Sequence, residues 1–170
     1  MAGSTLVERA DAGLAAIEQV LVVLLIGGIT AIMMVQVVLR YFFGAPLFWA
    51  EEVSVQLLVF ASVFGLSLLT RRGELVSIDF LPRALSPRAS HALMAALGLV
   101  MLAMLVFIAW LGWEWIARAD VRMELSATTQ TPRWYTYVVL PLGLSCMALH
   151  QVAVILRHLQ GMRPAGGARA

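Results

Sequence analysis

Charge is what this sequence has least of. Only 13% of its 170 residues are charged, and every basic one is arginine. Set against 61% hydrophobic residues, that leaves too little polar surface to cover a soluble domain of this length. Cysteine is almost absent too. The one residue, Cys146, lies inside an apolar run and reads as a small packing side chain rather than a nucleophile or ligand. No phosphate-binding glycine loop and no zinc spacing occurs. Of three histidines only His150 lies deep in an apolar run, whereas His91 and His158 flank such runs. A haem held by two histidines needs a second one at the depth of His150, and none is there. The arginines are spread over ends and connections, not gathered into a face for nucleic acid. No enzyme, cofactor or metal site is expected.

What the sequence does have is four runs of 18 to 23 residues without one Asp, Glu, Arg or Lys: Gln19 to Leu39, Val53 to Thr70, Ala92 to Trp113 and Trp134 to Leu156. About 20 apolar residues cross a bilayer as a helix. An all-α membrane protein follows, one domain over residues 1–170, with spans at about 19–40, 50–70, 88–116 and 133–157. The first run is too long for the core of a signal peptide, and only Arg9 precedes it as a cation beside Glu8, Asp11 and Glu18. Residues 160–170 read as a flexible tail.

Orientation follows from the arginines. Arg9, Arg71, Arg72, Arg83, Arg88, Arg157, Arg163 and Arg169 fall on one side, against Arg40, Arg118, Arg122 and Arg133 on the other, so both termini are expected in the cytoplasm. Every Trp and Tyr falls at the opposite, periplasmic ends of the spans, as an interfacial belt in contact with membrane lipid or a surface that meets a partner. On the cytoplasmic side, Thr5 and Glu8 have capping-box spacing. Leu6, Ala10, Leu14 and Ile17 share a helical face, so residues 1–18 read as an amphipathic interfacial helix. The connection holding Leu75 to Leu85 is expected at the interface as well. Ser86-Pro87 and Thr131-Pro132 are start signals for the third and fourth spans. Pro141 is expected to kink the fourth.

Two segments stand out from packing. The first runs from Arg40 and Tyr41 through Trp49 to Glu51 and Glu52. A helix cap and a snorkelling arginine account for its charges alone; a polar clasp between two spans, or to a neighbouring chain, is the functional reading. The second, Arg71, Arg72, Gly73, Glu74, Leu75, Val76, Ser77, Ile78 and Asp79, is on physical grounds a solvated charge cluster that stops transfer. Ala61 and Gly65 add small-xxx-small spacing that suits a close helix approach.

Together these segments resemble the small membrane subunit, DctQ-like, of tripartite ATP-independent periplasmic (TRAP) transporters, over about residues 17 to 157. The resemblance rests on Arg40, Tyr41 and Phe42; on Trp49, Glu51 and Glu52; on Arg72, Gly73, Val76, Ile78 and Asp79; and on Leu140, Pro141, Leu142 and Gly143. Leu75 stands where that family often has His, so the segment is read as a structural connection. The resemblance implies a non-catalytic subunit of a sodium-coupled organic acid symporter. Its partners would be a large membrane subunit (DctM-like) and a periplasmic substrate-binding protein, with subunit or structural contacts at Arg40, Tyr41, Trp49, Glu51, Glu52, Gly65, Arg72, Asp79 and Pro141. From the residues themselves, Gln36, Gln56 and His150 are the few strongly polar groups within the spans. Such groups more often bond between helices, for roughly 0.6–2 kcal/mol each, than line a path. The alternatives are a self-sufficient four-helix exporter using Glu18, Glu51, Glu52 or Glu114, and a structural assembly protein. The exporter needs a desolvated carboxylate, and all four glutamates sit at span ends.

Overall fold

The computed structural model describes residues 2–73 and 86–161. Its four long helices contain the four apolar runs, and each is long and apolar enough to cross a membrane: Val7–Phe42, Ala50–Arg72, Ala89–Ala117 and Trp134–Gln160. The helices are α1 (Ala2–Phe42), α2 (Ala50–Arg72), α3 (Pro87–Ala117), the short α4 (Ala119–Met123) and α5 (Trp134–Tyr137), and α6 (Val139–Gly161).

α1 differs from expectation. Residues 2–18 are not a separate helix, because the helix starts at Ala2, ahead of the expected cap Thr5, and runs unbroken to Phe42. The segment is rich in Ala, Leu and Glu and holds no proline, so nothing in it stops a helix. At 1.5 Å per residue it is about 60 Å long, roughly twice the hydrocarbon thickness. Its packed face also differs. Ala15, Glu18 and Leu25 are buried while Ile17 is 68% exposed, so the stripe that meets the other helices carries carboxylates, not the apolar set ending at Ile17.

α2 opens with Glu51 and Glu52 in its first turn and closes with Arg71 and Arg72 in its last, each charge sign at the end where the helix dipole favours it. Gly73 ends it in the left-handed region, its N–H reaching Thr70 O at 3.0 Å. Ser86 precedes α3 in extended geometry, as a start position requires, and Ser90 N–H bonds its carbonyl at 2.9 Å. Thr131 and Pro132 do not start the fourth span. They belong to a turn, Pro132 pairing with Leu125 in an isolated antiparallel bridge, and the helix begins at Trp134. The expected bend at Pro141 takes the form of an interruption at Val138 between α5 and α6. Pro141 has no N–H to offer the carbonyl four residues back, at Tyr137, so the regular ladder restarts beside it. Leu142 N–H reaches Val138 O at 3.1 Å.

The four spans are laid side by side in the order α1, α2, α6, α3: α6 packs on both α2 and α3, while α1 packs mainly on α2 and less on α6. α6 is the most buried span and α1 the least. Leu25, Ala61, Val63, Phe64 and Val139 form a core where α1, α2 and α6 meet. Close approach between helices depends on Gly143 and Gly98. A Cβ at Gly143 would lie 2.0 Å from Val63 Cγ1, and one at Gly98 would lie 2.9 Å from both Gln151 Nε2 and Ile155 Cγ1. Gly65, the expected close-packing position, has nothing within 4 Å of where its Cβ would be. Broad apolar faces remain uncovered on α1 and α3, Leu24, Met34, Val100 and Met104 among them. In a bilayer such faces meet lipid or another apolar helix.

Candidate functional site

Two polar clusters tie the spans together, one at each end of the layer. The first lies at the end holding the start of α1 and the end of α2. His150 of α6 is completely buried, and each of its ring nitrogens faces a carboxylate of α1: Nδ1 is 2.6 Å from Asp11 Oδ1 and Nε2 is 3.0 Å from Glu18 Oε2. Asp11 and Glu18 are seven residues apart, two helical turns, so they project from the same face and hold the ring between them. α2 completes the cluster. Ser67 Oγ donates to Glu18 Oε1 at 2.8 Å, and Arg71 Nε donates to Asp11 Oδ2 at 2.8 Å. Arg157 of α6 then donates to the carbonyl of Arg71 at 2.9 Å.

The arrangement is close to self-sufficient electrostatically. Two carboxylates face one guanidinium, and one further proton on the imidazole or shared with a carboxyl brings the group to neutrality and lets both ring contacts be hydrogen bonds. Burying Glu18, which is only 2% exposed, is affordable for that reason alone. The cluster fixes the rotation and depth of α1 against α2 and α6, since sliding α1 by a turn breaks its bonds to both, and sliding α2 or α6 breaks that helix's own bonds to α1.

The second cluster lies at the opposite end. Glu52, in the first turn of α2, accepts hydrogen bonds from Ser126 Oγ and Thr128 Oγ1, and from Thr128 N at 3.0 Å. These donors belong to the α4–α5 connection, which is held in shape by Ser126 N to Thr131 O at 2.8 Å and Arg133 N to Glu124 O at 2.9 Å. Tyr137 OH donates to Glu124 at 2.9 Å. The α1–α2 connection is pinned separately, Leu47 N donating to Gln36 Oε1 at 2.8 Å. Outside the spans, Arg118 bonds Asp120 through two nitrogens and holds that carboxyl below the usual range.

The expected site residues divide accordingly. Arg40 approaches Glu51 at 4.0 Å, but both side chains are more than half exposed, so that half of the expected clasp is a loose surface pair. Glu52 clasps the α4–α5 connection instead of Arg40, because the first turn of α2 points it across the layer. Tyr41 and Trp49 are exposed at the same end as Trp113 and Tyr135. Glu51 lines a cleft with Gln56, Arg133 and Thr136. Pro141 is buried and packs over Gly112 of α3. Arg72 is exposed, while its neighbour Arg71 makes the ion pair. Asp79 and the rest of the connection from Glu74 to Leu85 lie outside the described residues.

Sequence reasoning missed the first cluster. Glu18 is not a solvated carboxylate at a span end but a buried one, and His150 has opposing partners that are acids rather than a second histidine. The available signal was the seven-residue spacing of Asp11 and Glu18, placed on one face with Ala15 between them. Among the described residues no group of three or more His, Cys, Asp or Glu has the geometry to hold a metal ion.

Residues 29–161 match the family described as tripartite ATP-independent periplasmic transporters, DctQ component. No curated protein matches the chain. The match spans most of the sequence, including α2, α3 and α6 entire and part of α1, and the four membrane-crossing helices are of the number and kind read from the sequence. The chain is thus a multi-pass inner-membrane protein and belongs to the DctQ family, the small membrane component of TRAP transporters.

Proposed function

We propose that this chain is a stationary, non-catalytic subunit that enlarges and steadies the scaffold of a large membrane subunit, DctM-like, during ion-coupled uptake of organic acids delivered by a periplasmic binding protein. One observation carries the reading. The ionisable groups inside the layer are satisfied by one another, and they link helices instead of lining a route. A transport path places unpaired polar groups around a passage near the bilayer midplane; here Asp11, Glu18, His150 and Arg71 close on themselves. An element tied at both ends suits a part that stays still while another moves. The uncovered apolar faces of α1 and α3 give the large subunit a place to pack, and the connections around Trp49 and residues 118–133, on the side given to the periplasm by the arginine count, give the binding protein a place to touch.

The test is co-purification of this chain with the large subunit in detergent, followed by uptake in reconstituted vesicles with and without it. The expected outcome is one-to-one recovery and uptake that requires both chains. Transport by this chain alone would overturn the proposal and make the self-sufficient exporter the better reading.

A further inference from the structure

The connection between α1 and α2 holds a cleft of about 260 Å³, lined by Gln36 and Arg40 of α1, by Pro46, Leu47 and Phe48, and by Glu51 of α2. Its depth is set by α2. Glu51 and Arg71 stand twenty residues apart on that helix, about 30 Å at 1.5 Å per residue, which is the thickness of the hydrocarbon layer. The cleft therefore opens at headgroup level, in the leaflet away from Arg71, and exposed Trp49 beside it is of the residue type that gathers there. We infer that the cleft binds one phospholipid of the phosphatidylethanolamine class, its phosphate on Arg40 and Gln36, its ammonium on Glu51 and its acyl chains along the helices below.

Both charges are available to a ligand. Arg40 and Glu51 approach only to 4.0 Å, with side chains 58% and 70% exposed, so neither is held by the other. Glu52 is already taken by Ser126 and Thr128, which leaves Glu51 as the carboxylate of the cleft. Gln36 is buried and its Oε1 accepts from Leu47 N, so its amide nitrogen is the group that can donate into the cleft. Apolar stripes lead away from the charges. Met33 and Val37 precede Arg40 by seven and three residues on one face of α1; Val55 and Leu58 follow Glu51 by four and seven on one face of α2, and all four are exposed. Because Arg40 and Glu51 meet, the stripes run side by side into the hydrocarbon, where two acyl chains can lie. A guanidinium binds phosphate through paired N–H bonds, and a carboxylate accepts from an ammonium. A headgroup carrying both groups satisfies both residues. An anionic glycerol headgroup sets its charge against Glu51, and a choline headgroup has no N–H to donate.

The experiment is native mass spectrometry of the full chain, released from detergent with equal amounts of phosphatidylethanolamine, phosphatidylglycerol and phosphatidylcholine of the same acyl chains. The expected result is a first bound lipid that is phosphatidylethanolamine, favoured about tenfold over each of the others, the scale of one charged hydrogen bond. Glu51→Gln is expected to abolish the preference over phosphatidylglycerol, and Arg40→Gln to weaken all three lipids together, because the phosphate is common to them. Both side chains are exposed, so neither variant disturbs the packed layer. Equal retention of the three lipids, or a preference that survives both substitutions, would overturn the proposal and leave Arg40 and Glu51 as a surface ion pair.

Discussion

Replacing His150 with leucine deletes both contacts that join α6 to the carboxylates of α1, while the surrounding helices keep their apolar packing. Asp11 retains Arg71, but Glu18 retains only neutral partners, the Ser67 hydroxyl and the Cys146 thiol, and stays buried with its charge largely uncompensated. Removing one partner of a buried ion pair costs about 3–5 kcal/mol, which is about 10²- to 10⁴-fold in the unfolding equilibrium. The informative comparison is the double variant His150→Leu with Glu18→Leu. It removes the stranded charge along with the ring, and substituting apolar residues for a whole buried pair is close to neutral. The double variant is therefore expected to recover most of the stability lost by His150→Leu alone, giving a coupling of at least about 2 kcal/mol between the two positions. Unfolding in mixed detergent and dodecyl sulfate micelles, followed by far-ultraviolet circular dichroism, measures all four corners of the cycle. Additive losses, or a single-variant cost below about 1 kcal/mol, would refute the claim that the network holds these helices.

Other outcomes test the close contacts and the opposite end. Gly143→Ala forces a methyl onto Val63 and is expected to cost about 1–3 kcal/mol in the same assay, while Gly65→Ala, with open space at its Cβ, is expected to change stability by less than about 0.5 kcal/mol. Glu52→Ala is expected to release the α4–α5 connection, seen as faster proteolysis within residues 124–133, and to lower uptake by weakening recovery of the large subunit; reduced uptake with full recovery and a changed substrate preference would contradict it. Arg40→Ala breaks only an exposed pair, so its stability change is expected within about 1 kcal/mol, and any larger fall in subunit recovery would point to a contact with another chain. Arg118→Gln is expected to return the Asp120 carboxyl to its ordinary titration range, followed by nuclear magnetic resonance through an acid titration.

The spans were legible because membrane solvation leaves a one-dimensional trace. A run without charge has to be long enough to cross, and Gln19 to Leu39 or Trp134 to Leu156 can be recognised without knowing a single contact. The clasp at Glu52 was half legible: a carboxylate in a first turn is expected, but its donors lie in a connection some seventy residues later in the sequence. The buried cluster was hidden for a related reason. Asp11 and Glu18 look like surface charges when the first helix is divided near residue 18, and only the unbroken α1 carries them into register with His150. Gly143 and Gly98 outrank Gly65 because close approach depends on the residue opposite, Val63 or Ile155, which no local spacing reveals.

The side-by-side order of the spans has a consequence for how the protein is made. α6 follows α1, α2 and α3 in the chain yet sits between α2 and α3, so those three spans leave the ribosome before the helix that joins them. Until then Asp11 and Glu18 have only α2 as a partner, and α3 lacks its main neighbour. Synthesis halted before Trp134 would leave an α1–α2 pair and a separate α3, each open to the proteases that survey the membrane. In that order of synthesis, α6 both brings His150 to the acids of α1 and joins α3 to the α1–α2 pair.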